Sequence, residues 1–252
     1  MRVKMNGTVV SNTAAKIYRY YQFEVCCPED VQKALNDLPE GEELTLEVNS
    51  GGGSVFAGFE IYTMLRGAAC QTVAEVQSLA GSAASTIACG CKKVLMSPVG
   101  QMMIHDPCMG GAGNIREHEE NLQALRSIKE SILNGYCDRC GDKASREQLR
   151  GLMRSETWLS AERAIELGLA DGLLFDGDDA EDMVNAVSGG LTALLGGCAL
   201  PSVEDLMARM SDEDRQKVGV EAAPKSEPAG DPAEDSSAWR YSAAVELEKM
   251  RF

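Results

Sequence analysis

The order of local patterns between residues 43 and 104 constrains the fold more than any other feature of this chain. "ELTLEVN" (43–49) alternates apolar and polar residues and runs into Ser-Gly-Gly-Gly, which predicts a strand ending in a tight turn. "SVFAGFEIYTMLRG" follows, with Val55, Phe59, Tyr62 and Leu65 at helical spacing. "QTVAEVQSLA" reads as a second strand, "GSAASTIACG" as a short helix, "KKVLMSP" as a third strand and "GQMMIHDP" as a fourth. Strands separated by crossover helices pair in parallel, so the order predicts an α/β fold on a parallel sheet.

Beyond a polar, Gly-rich loop, "CMGGAGN", a long helical segment runs from Asn114 to about Cys137. Leu122, Leu125, Ile128 and Ile132 mark its apolar face, and Arg116, Glu117, Glu119 and Glu120 a charged one. Asn114 has the chemistry of an N-cap, with Glu117 at the capping-box position. "ASREQLRGLMR" reads as a second helix. "LSAERAIELGLADGLLF" reads as a helix beginning after Ser160, a stop at Gly168 and a closing strand.

The pattern degrades after Phe175, which divides the chain into a folded domain over 1–175, a short helical extension over 176–220 and an acidic tail over 221–252. "EAAPKSEPAGDPAEDSS" (221–237) has the composition of a disordered segment. The formal net charge is −15, and two-thirds of that excess lies beyond residue 175. Such a balance excludes nucleic acid as the main partner, because phosphate binding needs clustered Lys and Arg. The uncharged stretch 183–203 is interrupted by Asn185, Ser188, Thr192, Pro201 and four glycines, which is too polar for a membrane span. It reads either as two short helices about a Gly-Gly break or as a docking segment for a partner.

The chain has nine cysteines at irregular spacing, and "MRVKMNGTVV" has no apolar run of the secretory kind. Reduced thiols in a cytosolic protein are therefore expected. "CDRC" (137–140) has the spacing of a metal or redox pair but no second such pair, and coincidence is the better reading. No metal and no cofactor are expected.

Three local features carry possible chemistry. The glycines of "NSGGGSV" (49–55) let backbone N–H groups approach a ligand at a helix N-terminus, or simply make a tight turn. Ser85, between Ala84 and Thr86, has the physics of a nucleophile at the mouth of a sheet, or belongs to a close-packed small-residue helix; Ser82 calls for no special role. His105 ends an apolar strand, where functional groups of parallel α/β sheets collect, whereas His118 lies in the charged run "REHEEN". Taken together they supply a hydroxyl, a base to take its proton, and N–H donors for a tetrahedral intermediate.

These motifs resemble the Clp protease proteolytic subunit family of serine peptidases over roughly residues 40–175. "VNSGGGSVFAG" is similar to that family's strand-turn motif, with Gly51 where proline is usual. "GSAAST" resembles its Gly-x-Ala-Ala-Ser nucleophile motif and implies Ser85 as nucleophile. "MMIHDP" resembles its Met-Ile-His-x-Pro motif and implies His105 as base. "ETWLSAERAIELGLAD" resembles the segment carrying the third member and implies Glu156, where many relatives have Asp; Asp106 and Asp171 are the neighbouring candidates. Gly51, "ETWLSAE" and the N-terminal segment look more like the phage branch, the head-maturation (prohead) proteases.

The resemblance implies a fold of repeated ββα units shared with the crotonases, a long handle helix beginning at Asn114, and homo-oligomeric, commonly heptameric rings. It implies an oxyanion hole from Gly52, Gly53 and the N–H of Thr86. Ser54, Cys108, Met109 and Gly110 would hold a protein or peptide substrate as an added strand. The expected function is a serine endopeptidase processing phage capsid or scaffold precursors in the host cytoplasm. The alternatives are a degradative peptidase fed by an unfoldase, a crotonase-type acyl-CoA enzyme, and a non-catalytic assembly factor.

Overall fold

A computed structural model describes residues 1–175, 200–220 and the backbone of 250–251. The chain enters as strand β1 (Arg2–Val9), helix α1 (Asn12–Tyr20), a short strand β2 (Val25–Cys26) and helix α2 (Pro28–Asp37). Then come β3 (Leu44–Gly53), α3 (Val55–Gly67), β4 (Thr72–Gly81), α4 (Ala83–Gly90), β5 (Lys93–Met96) and β6 (Gln101–Ile104). This is the order read from residues 43–104, and the architecture is the mixed α/β type expected, with helices on a largely parallel sheet.

The sheet runs β2-β1-β3-β4-β5, all parallel. Strand β4 divides its free edge. Val73–Val76 pair with β5, whereas Leu79–Gly81 pair in parallel with β6. The upper end of β4 is therefore held between β3 and β6, and it leads directly into α4. Buried Val, Leu, Ile and Ala from β3, β4, α3 and α4 form the main core, and Met102, Ile104 and Leu159 join it. Near the start of the sheet, the charged pair Glu47 and Glu75 sits directly across β3 and β4. Arg2 of β1 neutralises both, with Nε donating to Glu47 at 2.6 Å and an ion pair to Glu75.

After β6 come β7 (Cys108–Met109) and the long helix α5 (Ile115–Cys140). Asn114 caps α5, and Glu117 reaches back to the Asn114 N–H, as the capping box predicts. The helix extends to Cys140 and absorbs "CDRC"; Cys137 and Cys140 are free thiols. Its expected apolar face is buried only from Ile128 onward; Leu122 and Ile115 are exposed. Next are α6 (Arg146–Arg154), β8 (Thr157–Ser160), α7 (Ala161–Leu167) and β9 (Gly172–Leu173). Strand β9 closes the sheet in parallel against β5, but β8 pairs antiparallel with β6.

Two short helices, α8 (Val203–Arg209) and α9 (Asp212–Val218), pack back on α1 in a satellite core of Val10, Ala14, Ile17, Leu206 and Met210. The Tyr18 and Tyr21 hydroxyls donate to the carbonyls of Pro201 and Leu206 at 3.1 and 3.0 Å. The expected disordered run 221–237 and most of the uncharged stretch 183–203 lie outside the described residues. Strand β10 (Met250–Arg251) pairs antiparallel with β7 and lies against β3. Among the described residues no helix is long and apolar enough to cross a membrane.

Candidate active site

Strand β4 ends at Gly81 and α4 begins at Ala83, so the residue on the corner is Ser82. Serine suits such a corner because it commonly caps helices. Ser11, Ser54, Ser145, Ser160, Ser202 and Ser211 all do so, each side chain accepting from an N–H in the first turn. Ser82 sits at the same helical position and makes no such bond. Its backbone is in the positive-φ region (φ 55°, ψ −121°), which costs a non-glycine residue about 1–3 kcal/mol. The Ser82 N–H is tied to the Met103 carbonyl of β6 at 2.8 Å, two residues before His105. This conformation sends Ser82 Oγ away from the helix and to within 2.8 Å of His105 Nε2.

The pairing corrects the expectation for Ser85. Ser85 is the third residue of α4, completely buried, and its hydroxyl donates to the Ser82 carbonyl at 2.6 Å and contacts the Tyr136 hydroxyl at 2.8 Å. The physical reason is where the strand ends. The match of "GSAAST" to the nucleophile motif pointed to Ser85, but β4 continues through Gly81 and α4 begins at Ala83, so the serine at the junction is Ser82. The usable sequence signal was that junction, a glycine and a serine between a strand and a helix.

His105 follows β6, and Glu156 precedes β8. The antiparallel register pairs Met103 with Trp158 and Ile104 with Thr157, so His105 and Glu156 flank the same end of the ladder, close enough for the Glu156 charge to act on the ring. Glu156 itself has a positive φ of 45°, and its N–H bonds the Met153 carbonyl, which makes the corner that places it there. The His105 pKa is lowered, chiefly by burial, while the charges of Glu156 and Asp106 pull it back up. Neutral imidazole is thus favoured near neutral pH, the form able to accept a proton. Asp106 turns instead to Lys129 of α5, with a 2.6 Å ion pair. Asp171 accepts from the Val94 N–H at 2.7 Å and pairs with Arg139, a role in joining β5 to α5.

The glycine turn lies directly against Ser82. A Cβ on Gly52 would stand 2.8 Å from Ser82 Cβ and 2.9 Å from the Ala83 nitrogen, and one on Gly81 3.1 Å from the Gly51 carbonyl. Only glycines let these two backbones meet. The Gly52 N–H donates to Ser50 Oγ at 3.1 Å, and Ser50 Oγ to the Gly7 carbonyl at 2.5 Å. Gly53, at φ 149°, packs against Val9, where a Cβ would meet the carbonyl at 2.2 Å.

Two further expectations are revised by the hydrogen bonds. The Thr86 N–H is spent inside α4, on the Ser82 carbonyl at 3.2 Å. With Ser82 at the corner, the following N–H is that of Ala83, in the first helical position, where donors have no partner within the helix. Ser54 is a buried cap of α3, with its N–H on the Val9 carbonyl at 2.8 Å, not a surface on which a ligand can lie. Cys108 and Met109 form β7, and Gly110 follows in the exposed loop. The edge of β7 accepts an added strand: β10 pairs there, Met250 with Met109 and Arg251 with Cys108.

A hydroxyl on a neutral imidazole, a carboxylate whose charge acts on that imidazole, and a helix-terminal N–H beside the hydroxyl are the components of acyl transfer. A family model for Clp protease matches residues 29–176. The chain is 30% identical over 143 residues to the ATP-dependent Clp protease proteolytic subunit 1 of Chlamydia muridarum, covering 55% of this chain and 73% of that one. It is 28% identical over 142 residues to the ATP-dependent Clp protease proteolytic subunit of Porphyromonas gingivalis (56% and 63%) and 27% over 151 to that of Mesostigma viride (59% and 65%). The matched region holds both strands of the His105–Glu156 register and the Ser82 corner, and the chain belongs to the Clp protease family.

Proposed function

We propose that this protein is a serine endopeptidase in which Ser82 is the nucleophile, His105 the general base and Glu156 the carboxylate that orients the imidazole. The observation that carries the reading is the 2.8 Å contact between Ser82 Oγ and His105 Nε2 at a strained strand-to-helix corner. In the first step His105 Nε2 takes the hydroxyl proton as Ser82 Oγ attacks the scissile carbonyl. The resulting oxyanion is met by the Ala83 N–H, at the start of α4. His105 then gives its proton to the leaving amine, and water, deprotonated by the same imidazole, hydrolyses the acyl-enzyme. Glu156 holds the proton-bearing Nδ1 side and stabilises the imidazolium.

The substrate is an extended peptide laid beside β7 as an added strand, and the pairing of β10 on that edge supports this. Copies of the chain assemble into rings, with the exposed first half of α5, including Ile115 and Leu122, at a contact between them; these large apolar side chains lack cover in the single chain. Within this class, Gly51 in the turn, "ETWLSAE" and the acidic C-terminal segment favour precursor processing during phage head assembly over general degradation. Co-expression with a capsid precursor separates the two: discrete cleavage supports processing, and degradation only with an added unfoldase overturns it.

The test of the catalytic assignment is labelling with a fluorophosphonate probe followed by peptide mapping. Wild type is expected to carry the label on Ser82, and Ser82→Ala to carry none. Equal labelling of Ser82→Ala, or loss of label only in Ser85→Ala, overturns the assignment.

A further inference from the structure

Ser85, Thr86 and Tyr136 form a buried row of hydroxyls beneath the Ser82 corner, and the reaction described above uses none of them. All three are at most 2% exposed. Ser85 has one hydroxyl proton, and it goes to the Ser82 carbonyl at 2.6 Å. The 2.8 Å contact between Ser85 and Tyr136 must then run from Tyr136 to Ser85. Thr86 in turn donates to Tyr136 at 3.4 Å. The Tyr136 pKa is raised, chiefly by burial, so the phenol keeps the proton it donates. The row therefore has a single direction, Thr86 to Tyr136 to Ser85, and it ends on the carbonyl of Ser82.

That carbonyl belongs to the Ser82–Ala83 peptide, whose other end is the Ala83 N–H. A peptide is planar, with C=O and N–H pointing in opposite directions, so fixing the oxygen fixes the direction of the N–H. Donation to the carbonyl also polarises the unit and makes the N–H a better donor. The Ser85 and Thr86 N–H groups bond the same oxygen at 3.0 and 3.2 Å, as the start of the helix requires. The Ser85 hydroxyl adds a third donor from a side chain whose own position is set by Tyr136 on α5.

From this we infer that Ser85 and Tyr136 are positioning residues: they aim and polarise the Ala83 N–H toward the oxyanion through the Ser82–Ala83 peptide. The inference rests on the assignment of Ser82 as nucleophile. It also links α5 to the reacting centre, because Tyr136 sits on the buried half of that helix.

The experiment compares Ser85→Ala and Tyr136→Phe with wild type in full-length protein, measuring kcat and KM on a fluorogenic peptide. Alongside, it measures affinity for a peptide boronate, which becomes tetrahedral on the serine, and for the matching product peptide, which does not. Expected are a kcat five- to twentyfold lower in both variants, KM within twofold, and boronate affinity falling in step with kcat while product-peptide affinity stays. A kcat within twofold of wild type in both, or equal losses for boronate and product peptide, overturns the inference. Tyr136→Phe removes a single oxygen and decides the matter if Ser85→Ala does not fold. Ser82→Ala keeps the two readings apart: full activity there removes the nucleophile assignment, whereas an inactive Ser82→Ala beside an unaffected Tyr136→Phe removes only the positioning role.

Discussion

Gly52 and Ser82 meet backbone to backbone, with room for no side chain between them. A methyl on Gly52 would lie 2.7 Å from the Gly81 carbonyl, at a φ of 97° that disfavours any L-residue. Gly51, its neighbour, has open space at the same position and no positive φ. Gly52→Ala is therefore expected to cost about 1–3 kcal/mol of stability and to lower kcat/KM more than tenfold. Gly51→Ala should leave both nearly unchanged. Thermal unfolding and peptide hydrolysis on the pair check this; equal effects at the two positions would show that contact with Ser82 is not what demands glycine.

With His105 as the proposed base, the acid limb of activity follows from its surroundings. Burial lowers its pKa below 6.5, and Glu156 opposes that shift. Activity requires the neutral ring, so the limb of kcat/KM against pH should fall below 6.5 in wild type. Glu156→Gln removes a charge that favours imidazolium, so the limb should move to still lower pH while the plateau drops by one to four powers of ten through loss of orientation. A limb that moves upward, or a plateau that stays, would assign the carboxylate role elsewhere.

The strand-helix order over residues 43–104 and the Asn114–Glu117 cap were legible because both are local: periodicity and cap chemistry act within a turn or two. What was not legible is non-local. Nothing in "MRVKMNGTVV" alone says that β1 lies between β2 and β3, because the partner strands are distant in sequence from it. The antiparallel pairing of β6 with β8, which brings the Glu156 charge near His105, joins segments about fifty residues apart. The serine beside His105 turned on a smaller matter. The motif match pointed to Ser85, but β4 runs through Gly81 and leaves Ser82 at the corner before α4; element ends are where pattern reading is weakest.

Arg2 tests the sheet rather than the site. Glu47 and Glu75 face each other across β3 and β4, an unfavourable arrangement for like charges unless a cation lies between them. Arg2 is about half exposed, so water screens part of the effect. Arg2→Met should lower stability in urea by about 1–2 kcal/mol, and the loss should vanish in an Arg2→Met, Glu75→Gln double variant. A double variant no better than the single would mean that Arg2 acts through packing of its stem.

The edge of β7 gives the last test. If substrate lies there as an added strand, β10 and a peptide substrate want the same backbone donors and acceptors of Cys108 and Met109. Proline at position 250 removes an N–H and fixes φ, which breaks a two-residue ladder without altering any residue of the site. Met250→Pro is thus expected to lower KM for a short peptide about two- to fivefold with kcat unchanged. Cys108→Pro, which damages the shared edge itself, should raise KM instead. Steady-state kinetics on the two variants decides it: the opposite signs follow only if substrate and β10 use one edge, and an unchanged KM in both would place the substrate strand elsewhere on the molecule.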